Sequence, residues 1–304
     1  MSRVVVLFLD GVGLGEENPQ VNPLAVASMP TLANALGGAG LFGATGAVRG
    51  QGASMAPTDA CLGVSGRPQS ATGQAALLTG LNAPELIGGH YGPRPNRQLR
   101  TLLEGETLFT RALAGSRSVA FVNAYPAAYF AAVARGKRLH GAIPHAAQAA
   151  GLPLRTDEDL AAGRALSVDL TNAAWRNGLG FPDMPLWTPA EAGRVMARLA
   201  TDNDLTFFDD WAPDMAGHRG DLQAGIALLE EFDAFLGALC EAVDLSRTLL
   251  VITSDHGNLE DVTQRQHTLN LVPTVLIGQH HQAAADRIRS LTDLAPTLLQ
   301  ALMG

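Results

Sequence analysis

The chain has 304 residues, 47% of them hydrophobic and 16% charged, with a formal net charge of −8. That length and composition predict one large α/β domain, or a core with a small lid. The negative balance excludes a general nucleic-acid binder, the two cysteines exclude a disulfide framework, and no run approaches the roughly 20 apolar residues that span a bilayer. Val4 to Leu9 is a continuous apolar run closed by Asp10-Gly11, as expected of a strand buried on both faces of a parallel sheet. Ligands in open α/β sheets gather beyond the carboxyl ends of strands, which makes Asp10 either a site residue or a turn former. The run is short and lacks a small-residue cleavage site, so a cytoplasmic location is expected.

Pro30 to Leu36 reads as a short helix, with proline at its start and Gly37-Gly38 at its end. Gly40 to Gln69 is irregular and is expected to hold a hairpin or an active-site loop. Ser70 and Thr72 then lead into an apolar helix that stops at Gly80. A hydroxyl there can cap the helix, or it can face a phosphate beside the unpaired first-turn amides. A helix near Thr107 to Leu113 and a strand from Ser118 to Asn123 read as core. The stretch from about 130 to 189 is rich in glycine, proline and polar turns and is available for a small cap or lid.

Asp204 to Asp209 is strand-like, and Asp214 and His218 follow at i and i+4, on one side of a helical turn. Leu222 to Val243 is a long amphipathic helix, and Thr248 to Ile252 is a strand followed by Asp255-His256. A carboxylate next to an imidazole suits a borderline divalent ion such as Zn²⁺ or Mn²⁺, although Asp255 could also simply open a turn. His267, the short strand Thr274 to Ile277 and a closing helix from Thr292 to Met303 complete the chain. The alternation predicts an α/β fold, a mostly parallel sheet with helices on both faces. Asp10, Asp214, His218, Asp255, His256 and His267 are enough for two metal ions in one crevice.

With these residues in place, the chain resembles the alkaline phosphatase superfamily, in its branch of cofactor-independent phosphoglycerate mutase and phosphopentomutase. The matching motifs are Asp10-Gly11, Ser70-Ala71-Thr72-Gly73-Gln74, Pro213 to His218, Asp255 to Glu260, and His267 to Pro273. The branch has histidine where this chain has Gln74. The resemblance implies a phosphatase-like catalytic domain over 1–304, with one divalent ion on Asp214, His218 and His267. It implies a second ion on Asp10, Asp255, His256 and the Ser70 oxygen, the ions being Mn²⁺ or Zn²⁺. It also selects Ser70 over Thr72 as the nucleophile that forms a phosphoserine.

Gly73, Asn123, Tyr125 and Arg219 are further candidate substrate contacts. His90, His280 and His281 are expected to face solvent, and His140 and His145 to lie in the lid region. The interval from Ser70 to Asp214 is too short for the large cap of the mutases. The expected activity is therefore a phosphatase or phosphodiesterase acting on a small phosphorylated metabolite, with no nucleic-acid or membrane partner. The alternatives are a phosphomutase and a non-catalytic protein that binds metal or a phosphorylated ligand.

Overall fold

The computed structural model describes residues 2–304. Seven strands, β1 (Arg3–Leu9), β2 (Val48–Arg49), β3 (Ala53–Thr58), β4 (Val119–Phe121), β5 (Leu205–Asp210), β6 (Thr248–Thr253) and β7 (Val272–Gly278), form one sheet in the order β2-β3-β7-β6-β1-β5-β4. The expected parallel arrangement holds for β6-β1-β5-β4, but the other edge is antiparallel, so the sheet is mixed. The reason is local. Val48 to Thr58 forms the hairpin expected in the irregular region, and β6 returns as β7 through a loop with no crossover helix, which only an antiparallel pair allows.

β1 shows how sequence period becomes architecture. Val4, Val6 and Phe8 point into one core, while Val5, Leu7 and Leu9 point into the other. Successive side chains of a strand face opposite sides, so an unbroken apolar run requires cover on both. Helices Ser70–Thr79, Leu108–Ala114 and Leu294–Met303 cover the first face, and Pro189–Asp202 and Leu222–Ala242 cover the second. The Pro189 helix begins at Thr188, whose hydroxyl and the Glu191 carboxylate satisfy each other's backbone amides in a capping box.

The 130–189 segment is less separate than a lid. Ala142, Ile143, Ala146 and Ala147 join the main core, and a small satellite core of Leu160, Ala165, Trp175 and Met184 holds the remainder. No described helix is long and apolar enough to cross a membrane. Adjacent strands β6, β1 and β5 run parallel, and their carboxyl ends deliver Asp255-His256, Asp10 and Asp209-Asp210 to one edge.

Candidate metal centre and active site

Ser70 is the first residue of its helix rather than its cap: Gln69 holds the cap position, and the Ser70 hydroxyl makes no capping bond. Instead, Ser70 Oγ lies 3.0 Å from His256 Nε2. That nitrogen is also 3.2 Å from Asp10 Oδ1 and 3.6 Å from Asp255 Oδ2. Thr72, the rival hydroxyl, donates to the carbonyl of Gln69 and faces away.

A second group adjoins the first. His218 Nε2 is 3.3 Å from Asp214 Oδ2 and 3.3 Å from His267 Nε2, and His267 Nε2 is 3.6 Å from Asp214 Oδ1. His218 Nδ1 donates to the Arg265 carbonyl at 2.9 Å, and His267 Nδ1 to the Pro68 carbonyl at 2.7 Å. A carbonyl can only accept, so each ring carries its proton on Nδ1 and turns the Nε2 lone pair inward. Two lone pairs converging on a carboxylate repel unless a cation lies between them. The rings of His256 and His267 stack with centroids 3.6 Å apart, so the two groups share one crevice.

The fit to divalent ions rests on groups left short of partners. Asp255 Oδ1 is buried and accepts no hydrogen bond, and the equally buried Asp10 Oδ1 faces only the His256 ring, at 3.2 Å. Burial, reinforced by Asp255, pushes the Asp10 carboxyl well above its ordinary range, and burial also raises Asp255. Burial alone would lower His256, but the Asp255 and Asp10 carboxylates outweigh it and hold the imidazole up to about 10. Burial and the neighbouring His256 push His267 down to about 4, which leaves it neutral and able to ligate. Oxygen and imidazole donors of this kind suit Zn²⁺ or Mn²⁺.

The loops that carry the candidate ligands are tied together. Glu260, 1% exposed, accepts from the amides of Gly13 at 3.0 Å and Asn258 at 2.8 Å, from Asn270 Nδ2 at 3.0 Å, and from the Thr268 hydroxyl. One carboxylate thereby joins the three loops that bear Asp10, His256 and His267. Asn258 Nδ2 donates to Asp214 Oδ1 at 2.7 Å and sets that ligand's rotation. Asp210 Oδ1 accepts from the Ala212 amide and opens the helix carrying Asp214 and His218. Gln74 Nε2 bridges Asp10 Oδ2 at 3.2 Å and Asp255 Oδ2 at 3.1 Å. An uncharged donor therefore stands where the resembling branch has histidine.

Two glycines let these parts meet. Gly11 adopts φ +76°, and a Cβ there would lie 2.8 Å from Asp214 Oδ1, which explains the Asp10-Gly11 pair. A Cβ on Gly73 would lie 2.8 Å from the Asp255 carbonyl oxygen. Gly73 is therefore a packing residue and not a substrate contact. Gly73→Ala is expected to cost about 1–3 kcal/mol, the range for overpacking, read as a lowered Tm.

The remaining candidates separate. Tyr125 lines the crevice of about 360 Å³ that contains Asp10, Ser70 and Asp214. Asn123 does not: it is 1% exposed, and its amide is bonded at both ends to the Asp209 backbone. Arg219 is exposed and borders a neighbouring groove rather than the crevice. His281, expected in solvent, is buried with Nδ1 2.9 Å from Ser54 Oγ, whereas His280 is exposed. His90 is half-buried on Val64, His145 pairs with Glu104, and His140 bonds the Tyr129 hydroxyl from behind. Sequence reasoning missed Arg94, Arg138, Tyr129 and Asp209, all of which line the crevice. Lys137, the single lysine, is exposed and outside the crevice lining.

Residues 190–304 match the family model of the Metalloenzyme superfamily. The 2,3-bisphosphoglycerate-independent phosphoglycerate mutase of Moorella thermoacetica is 41% identical over 136 residues, covering 40% of this chain and 26% of the relative. The enzyme of the same name from Cereibacter sphaeroides is 38% identical over 125 residues, covering 38% and 24%. The chain thus spans about a quarter of the length of the curated relatives it matches. Among solved structures, a protein from Pyrococcus horikoshii superposes with TM-score 0.60 at 16% identity, covering 99% of this chain and 96% of that one. The alkaline phosphatase from the Antarctic bacterium TAB5 superposes with TM-score 0.58 at 13% identity, covering 99% and 97%. At such identities the likeness is one of fold. The family match covers residues 190–304, and the fold shared with these solved structures, alkaline phosphatases among them, extends over nearly the whole chain.

Proposed function

We propose that the protein is a phosphohydrolase that uses two divalent ions, Mn²⁺ or Zn²⁺, and a phosphoserine at Ser70 to hydrolyse a small phosphorylated metabolite. The observation that carries this reading is the Ser70 hydroxyl, which declines its capping role and sits 3.0 Å from His256 among buried carboxylate oxygens. Asp214, His218 and His267 would hold one ion, and Asp10, Asp255, His256 and Ser70 the other. Bound there, the ions would lower the hydroxyl's pKa and neutralise phosphoryl charge. The Ser70 oxygen forms a bond to phosphorus as the ester oxygen departs and takes up a proton, giving an alcohol. Water then attacks the phosphoserine, the bond from phosphorus to the Ser70 oxygen breaks, and inorganic phosphate leaves.

Hydrolysis is favoured because the site is open: the His218 side chain is 40% exposed, and the 130–189 segment gives the crevice only a short rim of Arg138, Gly141 and Pro144. That short rim would serve as a reduced lid. Arg94 and Arg138 on the wall supply positive charge for an anionic group of the substrate. The second reading, a phosphomutase, draws on the mutase names of the sequence relatives. It requires a second substrate hydroxyl to take the phosphoryl group. Phosphorus NMR of metal-loaded protein with p-nitrophenyl phosphate and 3-phosphoglycerate separates the two. Release of inorganic phosphate is expected. Positional isomerisation without phosphate release would overturn the hydrolase assignment.

A further inference from the structure

Asp209 is the penultimate residue of β5 and is 7% exposed, yet it lines the crevice. No hydrogen bond or ion pair among the described residues reaches its carboxylate. Its direction is nevertheless fixed, because Asn123 Oδ1 accepts from the Asp209 amide at 2.8 Å and Asn123 Nδ2 donates to the Asp209 carbonyl at 2.6 Å. A buried carboxylate without a partner is costly to keep charged, and a cation or a strong donor offsets that cost. The carboxylate and imidazole donors close enough to share an ion fall into two groups, and Asp209 belongs to neither. An organic cation therefore fits it better than a third metal ion.

The opposite charge is also present and free. Arg94 and Arg138 line the same crevice, and neither pairs with a carboxylate among the described residues. Arg94 is anchored by Nη1 on the Leu139 carbonyl at 2.5 Å, and Arg138 rests 4.9 Å from the centre of the Tyr129 ring. Two anchored, unpaired guanidiniums are suited to a carboxylate or a second phosphate. The volume of about 360 Å³ admits only a small molecule.

We propose that the substrate is a small phosphomonoester whose alcohol portion carries both an anion, seated on Arg94 and Arg138, and an ammonium group, seated on Asp209. The inference rests on the phosphoryl-transfer reading above and narrows it to a zwitterionic substrate of phospho-amino-acid type. A pair of isosteric probes tests it. O-Phosphoserine and 3-phosphoglycerate share phosphate, carboxylate and carbon chain, and differ by ammonium against hydroxyl.

With metal-loaded wild-type protein, kcat/KM is expected to be at least about tenfold higher for O-phosphoserine, one hydrogen-bonded charge pair being worth a factor of that order. Asp209→Asn is expected to bring the ratio of the two close to one. Arg94→Ala is expected to raise KM for both and to leave their ratio in place. Equal or better use of 3-phosphoglycerate by the wild type, while p-nitrophenyl phosphate is turned over, would overturn the substrate class alone. So would a third divalent ion per chain that Asp209→Asn removes. No turnover of p-nitrophenyl phosphate would overturn the phosphoryl-transfer reading, and this inference with it.

Discussion

Ser70→Ala is expected to lower kcat for p-nitrophenyl phosphate by at least about 10³-fold, because removing a covalent nucleophile eliminates the pathway and leaves only what binding and electrostatics supply. The fold is expected to survive the change. Ser70 is buried at the first position of its helix and caps nothing, and alanine is the better helix former. Asp10, Asp255 and His256 remain to hold an ion, so metal uptake persists in the variant. Initial rates together with a melting curve, each with and without metal, check both halves. A variant that keeps its Tm and its metal but loses turnover identifies Ser70 as the reacting group. A variant that keeps turnover removes the phosphoserine from the mechanism.

Asp255→Asn has the second-largest expected effect, and it acts in opposite directions on stability and activity. In the metal-free protein Asp255 is fully buried beside Asp10; burial raises both carboxyls, with Asp255 adding to the rise at Asp10 and Asp214 to the rise at Asp255. Replacing one with a neutral amide relieves that strain, so the metal-free variant is expected to melt above the metal-free wild type. The gain from metal goes the other way. An ion at 100 times its Kd stabilises by about 2.7 kcal/mol, and the variant is expected to lose that increment for the ion beside Ser70. Activity is expected to fall by more than about 100-fold, the upper range for disturbing a ligand's surroundings alone.

The pH dependence of metal uptake follows with a definite sign. Asp255 and Asp10, against the effect of burial, hold His256 protonated up to about 10. An ion must displace that proton, so affinity in the wild type rises with pH through the neutral range. In Asp255→Asn the His256 proton is held less tightly, and the slope of affinity against pH is expected to flatten. Calorimetric titrations with Mn²⁺ or Zn²⁺ at several pH values, corrected for buffer ionisation, read this slope.

How far the site could be read from the chain depends on how each residue reaches it. Asp10, Asp255-His256 and Asp209 stand directly at strand ends, where a run of apolar residues announces the strand and the turn chemistry announces its end. Asp214 and His218 sit one helical turn apart on a short helix, so their spacing carries the geometry. Arg94 and Arg138 carry no such signal. They reach the crevice from a loop after Tyr91 and from the segment after the helix Ala127–Ala134, and only tertiary packing brings them together. Lys137 and Arg138 are adjacent basic residues in the sequence, yet only Arg138 lines the wall.

Asn123 illustrates the converse error. It stands at the right edge of the sheet, but its side chain is drawn backwards by the free amide and carbonyl at Asp209, which a strand-end argument does not see. The antiparallel half of the sheet was hidden for a related reason. β7 reads as any short apolar strand, and its direction depends on the Ser254–Leu271 loop, which folds around the ligands instead of forming a crossover helix. Glu260 was visible only as a motif letter. Its role as the shared acceptor of three loops exists only once those loops meet.

The account stands on two ions that would share one crevice, one of them held in part by the Ser70 oxygen. Anomalous scattering from crystals grown with Mn²⁺ or Zn²⁺ tests it most directly. Two peaks are expected, one enclosed by Asp214, His218 and His267 and the other by Asp10, Asp255, His256 and the Ser70 oxygen. A single peak, or none within reach of these side chains in metal-replete crystals, would contradict the account.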